Sequence, residues 1–122
     1  MIGLKLWGMS KRRSVNLGEV AESATGREGA VWTLEEGGDL NANLVRFEAG
    51  RGVGEHVNEE VDVLIVGVSG SGLVGVDGEE QPVSNGRMVF VPRGARRYTL
   101  AVSDEFAYLS VHRRRGPLQI GG

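Results

Sequence analysis

The side chains suited to chemistry are few, and most lie in one stretch, GEHVNEEVD, from Gly54 to Asp62. His56 carries an imidazole, Asn58 an amide and Asp62 a carboxylate. Residues two apart on a strand project to the same side, so His56 and Asn58 face one way if this stretch is extended. Three readings are open: the start of a metal site, the wall of a pocket for a polar ligand, or a polar strand edge with no partner. The other histidine, His112, lies in YLSVHRRR and shares a strand face with Tyr108 and Ser110. If that face looks inward, His112 can approach His56 and make a two-histidine site. If it looks outward, His112 merely opens the basic run Arg113–Arg115.

Other chemistries are excluded by composition and spacing. The chain has no cysteine, which removes disulfides, thiolate catalysis, Cys-based zinc sites and iron–sulfur clusters. No nucleophile elbow, phosphate-binding loop or GxGxxG beside a helix is present. Glu59–Glu60 and Glu79–Glu80 are sequence neighbours, and adjacent strand residues point oppositely, so neither pair makes a two-carboxylate site. The formal net charge of −2 gives no whole-molecule field for nucleic acid. Basic clusters at Lys11–Arg13, Arg96–Arg97 and Arg113–Arg115 read as solvated turns or chain ends, except where Arg97 is considered below. No apolar run approaches the ~20 residues that span a membrane. The opening MIGLKLWGMSKRR places its charges after the apolar piece, the reverse of a secretory signal. The expectation is a cytoplasmic protein with no nucleic-acid or membrane partner.

The elements that must position these groups follow from periodicity. With 122 residues, 20 of them glycine and 3 proline, one domain of short strands and tight turns is expected. NLGEVAES (Asn16–Ser23) reads as about two helical turns capped by Asn16. From Ala30 the period becomes two. In LNANLVRFEAG, Asn41, Asn43, Val45 and Phe47 share one face, and Leu40, Ala42, Leu44 and Arg46 the other. VDVLIVGVSG is nearly continuous in apolar character, which predicts a strand buried on both faces. GLVGVDGEEQPVS reads as a hairpin turning at Asp77–Gly78. RMVFVP is a strand ended by Pro92, and RRYTLAV and FAYLSVHRR supply the last two, separated by SDE. About eight strands at ~8–12-residue spacing predict an all-β sandwich or barrel. Trp7 and Trp32 read as packing residues.

The order of these pieces resembles the cupin superfamily, and in particular its small single-domain, cupin-2-like members with a degenerate metal motif. Cupins carry a first motif, G-x5-H-x-H-x3–4-E-x6-G, and a second, G-x5-P-x-G-x2-H-x3-N. Here Gly50, five residues and His56 begin the first, which closes on Gly70. Gly86, five residues, Pro92, Arg93 and Gly94 reproduce the scaffold of the second. The VDGEE hairpin lies between them, and the likeness covers roughly Leu40 to Val111. It implies a double-stranded β-helix (jelly-roll) barrel over 30–116, preceded by an N-terminal extension at 1–29 and followed by a tail at 117–122. It also implies a homodimer, with the apolar-then-basic residues 1–15 as a possible dimer arm.

The resemblance implies a metal held by three imidazoles and a carboxylate, and the ligand positions depart from it. His56 falls on the first histidine. The second is Asn58. The glutamate position falls on Val63 counting back from Gly70 and on Asp62 counting on from Asn58, a one-residue disagreement that changes strand face unless a bulge absorbs it. The histidine of the second motif is Arg97 and its asparagine is Ala101. A guanidinium has no lone pair to donate. At ~4 Å it repels a dication by about 8 kcal/mol for an effective dielectric of 20. The same fork suits carboxylates and phosphates.

The leading expectation is therefore a cupin without a cofactor that binds a small polar or anionic ligand, through His56, Asn58 and Arg97 with Asn43 and Tyr98 beside them. One alternative is an enzyme, a dioxygenase or isomerase, with one divalent Fe, Mn, Zn or Ni ion on His56, Asp62 and His112. Another is a structural module whose barrel is filled, with Arg97 in an internal salt bridge to Asp62, Glu59 or Glu60.

Overall fold

The structure is a computed structural model and describes residues 14–36 and 38–115; Trp7 and the expected tail lie outside them, as does most of the expected dimer arm. Among the described residues, one helix and seven strands follow in chain order: α1 (Leu17–Ser23), β1 (Gly29–Thr33), β2 (Leu40–Glu48), β3 (His56–Val57), β4 (Val63–Val76), β5 (Glu79–Ser84), β6 (Met88–Val91) and β7 (Arg96–Arg113). The helix begins where the sequence predicts: the Asn16 side-chain oxygen accepts from the Glu19 N–H at 3.0 Å. The hairpin turns at Asp77 and Gly78, both with positive φ, as a type I′ turn requires.

All strand pairings are antiparallel. The strands run β1-β2-β7-β4-β5, with β3 on β7 and β6 on β4. Two pairs of segments that read as separate strands in the sequence are continuous. The first half of β4 pairs with β6 and with the end of β7, and its second half pairs with β5 and with the start of β7. Between the partner pairs Gly70↔Phe106 and Gly72↔Ala101, β7 holds Val102 to Glu105 against Ser71 alone. That bulge lets one strand serve both layers of the jelly roll. Gly70 makes the matching kink: its φ is +67°, and a Cβ there would meet the Glu105 carbonyl oxygen at 1.8 Å.

Alternation fixes what each face does. Val63, Ile65, Val74, Val83, Phe106 and Tyr108 fill the barrel interior, with the rings of Phe106 and Tyr108 5.2 Å apart. On the outer face, α1 covers Leu44 and Ala107 with Ala21 and Val20. Arg46 is sealed beneath it at 3% exposure. Its Nη1 donates to Glu48 and to the Arg27 carbonyl at 3.1 Å, while its Nε lies 3.7 Å from Glu105.

The expected burial of β4 on both faces is not what forms. Val63 and Ile65 are in the core, whereas Leu64 is 37% exposed. Its neighbours across the ladder are Phe90 on β6 and Val111 on β7, and Phe90 and Met88 are also open to solvent. The apolar run encodes one core face and one apolar outer face that the helix covers at Val68 and leaves open at Leu64.

Candidate functional site

The barrel mouth is built by four strands and one strap, with β1 contributing Gly29 and Ala30. β2 turns Val45 and Phe47 inward, β4 turns Ile65 inward, and β7 contributes Arg97, Thr99, Tyr108 and Ser110 at alternate positions. The strap from Gly50 to Val57 runs along the edge of β7. It is held by Gly50 N–H to Ala101 O (2.9 Å), Ala101 N–H to Arg51 O (2.8 Å) and Thr99 N–H to Val53 O (3.1 Å), then by the His56↔Arg97 pairing. Gly52 permits this approach, since a Cβ there would lie 1.9 Å from the Thr99 carbonyl oxygen. These pieces enclose a cavity of about 260 Å³.

His56 and Arg97 meet at its rim. Arg97 Nε donates to His56 Nε2 at 3.1 Å, and His56 Nδ1 lies 2.9 Å from the Gly54 carbonyl oxygen. A carbonyl only accepts, so the proton sits on Nδ1 and Nε2 presents its lone pair to the guanidinium. Both ring nitrogens are thereby committed. Arg97 is half-buried and has no carboxylate within ion-pair distance among the described residues. Burial pulls its guanidinium below the ordinary value, and the nearby Arg115 acts in the same direction; an arginine remains cationic at physiological pH regardless. Deeper in, the Thr99 and Tyr108 hydroxyls are 3.1 Å apart. Burial raises the Tyr108 phenol above its usual value, outweighing the Thr99 hydrogen bond and the Arg97 charge, so it keeps its proton.

The other candidates fall elsewhere. Asn58 Oδ1 accepts from the Glu60 N–H at 2.8 Å and the Val61 N–H at 3.4 Å, which ties it into the turn leading to β4. Asn43 Oδ1 accepts from the Thr33 hydroxyl at 2.8 Å, across the β1–β2 ladder. Tyr98 borders the cavity, but its ring lies over the bare backbone of Gly75, and its hydroxyl donates to Glu80 at 2.5 Å. That bond is the main cause of its raised pKa.

Asp62 is exposed and accepts from the Arg93 N–H at 2.9 Å, while Val63 is 1% exposed in the core. The inward position of the disputed register therefore belongs to Val63. His112 lies on the inward-facing side of β7, two residues beyond Ser110, and its Nδ1 is 2.8 Å from the Arg113 carbonyl oxygen; it is not in the cavity wall. Glu60 pairs with Arg115 at 3.0 Å. The internal salt bridge from Arg97 to Asp62, Glu59 or Glu60 does not form.

The profile of the Cupin domain family matches residues 43–112, more than half of the chain and most of the residues that line the cavity. The chain is a cupin. Its fold recurs in solved cupins at low sequence identity. KdgF from Halomonas sp. is 22% identical, with a TM-score of 0.64 over 70% of this chain and 77% of that one. A cupin protein from Bacteroides fragilis is 19% identical, with a TM-score of 0.64 over 89% and 87%. A conserved protein with a double-stranded β-helix domain from Klebsiella pneumoniae is 15% identical, with a TM-score of 0.69 over 84% and 90%. No curated protein matches this cupin.

The metal that the family implies can be tested against the residues present. Its seat would be bounded by His56, Asn58, Val63 and Arg97. The His56 lone pair is turned to a guanidinium, the Asn58 oxygen to two backbone N–H groups, and Val63 has no donor atom. Among the described residues, no three His, Asp or Glu side chains are grouped to hold an ion. This donor set does not fit a divalent cation.

Thr99 and Ser110 are cavity residues that spacing alone did not single out as ligand contacts. Both signals were in the sequence. Thr99 is two residues from Arg97, and Ser110 shares a face with Tyr108.

Proposed function

We propose that this cupin is a binding protein for a small anion, held at the barrel mouth by Arg97, with His56 as the residue that positions it. One observation carries the reading: a half-buried guanidinium borders a cavity with no carboxylate among the described residues to neutralise it. Buried charges are normally paired, and a guanidinium left open toward a cavity is matched by an oxyanion in bidentate geometry. His56 spends its lone pair on Nε, which fixes the guanidinium plane and leaves the two Nη groups for a guest. The cavity itself speaks against a fully filled barrel.

Thermal melts with formate, acetate, benzoate and phosphate test the reading, each set against its uncharged amide or ester. At a hundredfold excess over Kd a ligand adds about 2.7 kcal/mol, an upward shift of several degrees for a domain of this size. The expected result is a rise with at least one anion in the wild type and none in Arg97→Met. No response to any anion, or an equal response in the variant, would overturn it.

A further inference from the structure

The polar groups of the cavity can be counted as donors and acceptors. The Arg97 side chain donates one N–H to His56 and makes no other hydrogen bond among the described residues, so its Nη groups remain as donors. His56 has no free lone pair. Thr99 Oγ1 accepts from the Val53 N–H at 3.2 Å and shares one hydrogen bond with Tyr108. Two hydroxyls carry two protons, and one bond between them uses one. Whichever residue donates, one proton of the pair is left over. The Ser110 hydroxyl in the same wall makes no hydrogen bond among the described residues. The wall thus offers a surplus of donors, and among the described residues it contains no carboxylate or amide side chain.

Apart from Tyr98, whose hydroxyl is spent on Glu80, the rest of the wall is apolar: Ala30, Val45, Phe47, Val53 and Ile65. A second charge on the guest would lie against these side chains without a partner, which disfavours it. Among the described residues, Arg97 is the one cation in the wall; Arg115 is near but is paired with Glu60. Size adds a third restriction. A space of 260 Å³ corresponds, at about 30 Å³ per water, to on the order of nine non-hydrogen atoms.

Resting on the reading of the mouth as an anion site, we propose that its ligand class is a compact monocarboxylate with an apolar body. The carboxylate sits between the Arg97 Nη groups and the Thr99–Tyr108 hydroxyl pair, and the body lies against Val45, Phe47, Val53 and Ile65. Dicarboxylates and phosphate are disfavoured because their second charge faces the apolar wall. Neutral molecules are disfavoured because they leave Arg97 uncompensated.

Isothermal titration of the whole chain with benzoate, 4-methylpentanoate, benzyl alcohol, succinate and inorganic phosphate tests this. At least one of the two monocarboxylates is expected to bind tenfold or more tightly than the other three probes. That binding falls at least tenfold in Arg97→Met and also in Arg97→Lys, which keeps the charge and loses the fork. The lysine variant keeps the test open if the methionine variant does not fold. Succinate or phosphate binding as tightly as the monocarboxylates, still through Arg97, would overturn the ligand class and leave the anion site standing. Binding of benzyl alcohol equal to that of benzoate would overturn the class as well. Anion binding that is absent, or indifferent to Arg97, would overturn both.

Discussion

Removing the two cavity hydroxyls one at a time and together probes the donor count directly. The wild-type pair has one spare proton, because Thr99 and Tyr108 share a single hydrogen bond and Thr99 also accepts from Val53. Thr99→Val leaves the Tyr108 proton for a ligand, Tyr108→Phe leaves the Thr99 proton, and only the double variant has none. A hydrogen bond to a charged acceptor is worth about 1.5–3 kcal/mol, or roughly 10- to 100-fold in Kd. Each single variant is therefore expected to bind benzoate within about threefold of the wild type, and the double variant about 10- to 100-fold more weakly. Stability should follow a different pattern. Thr99→Val strands the Val53 N–H, at a cost of about 1–3 kcal/mol, whereas Tyr108→Phe keeps the ring that packs on Phe106. Titration calorimetry and urea melts on the four proteins separate the two quantities. Affinity losses that simply add, or a full loss in either single variant, would refute the count.

Four further outcomes are expected. Gly75→Ala places a Cβ 2.0 Å from the Tyr98 ring, so it should lower stability by about 1–3 kcal/mol in denaturant melts, with the loss largely relieved when Tyr98→Ala is added. Glu48 is held below its ordinary carboxylate value, chiefly by the Arg46 hydrogen bond. Its contribution is thus present above the unfolded pKa and lost as pH falls through the folded one, and the urea midpoint of Glu48→Gln should change less on acidification than that of the wild type. A homodimer is expected through the face bearing Leu64, Met88 and Phe90; light scattering should give two chains for the wild type and one for Phe90→Lys, and a monomeric wild type would contradict it. Because the guanidinium repels a dication, elemental analysis of purified protein should find less than about a tenth of an equivalent of transition metal, against near one equivalent that vanishes in His56→Ala.

Much of the fold was legible because glycine, proline and alternation are local signals. The Asp77–Gly78 turn, the Asn16 cap and the two faces of β2 each follow from a few neighbouring residues. The continuity of β4 and β7 was not legible, because a bulge of β7 over Val102–Glu105 depends on what lies across the ladder. The apolar run of β4 misled for a related reason: composition tells that both faces are apolar, not that one is left open at Leu64. At the site, the side of the strand was readable and the hydrogen-bond partner was not. Asn58 and His56 are two residues apart, yet the Asn58 oxygen is claimed by the N–H groups of its own turn. Tyr98 adjoins Arg97 in sequence, so it only borders the cavity, with its ring over Gly75 and its hydroxyl on Glu80.

A crystal structure of the wild-type protein soaked in benzoate probes the central claim most directly. The account predicts a carboxylate within hydrogen-bond reach of the Arg97 Nη groups, with Arg97 Nε still on His56 Nε2. Arg97 swung into solvent, with a cation bound to His56 in its stead, would contradict it.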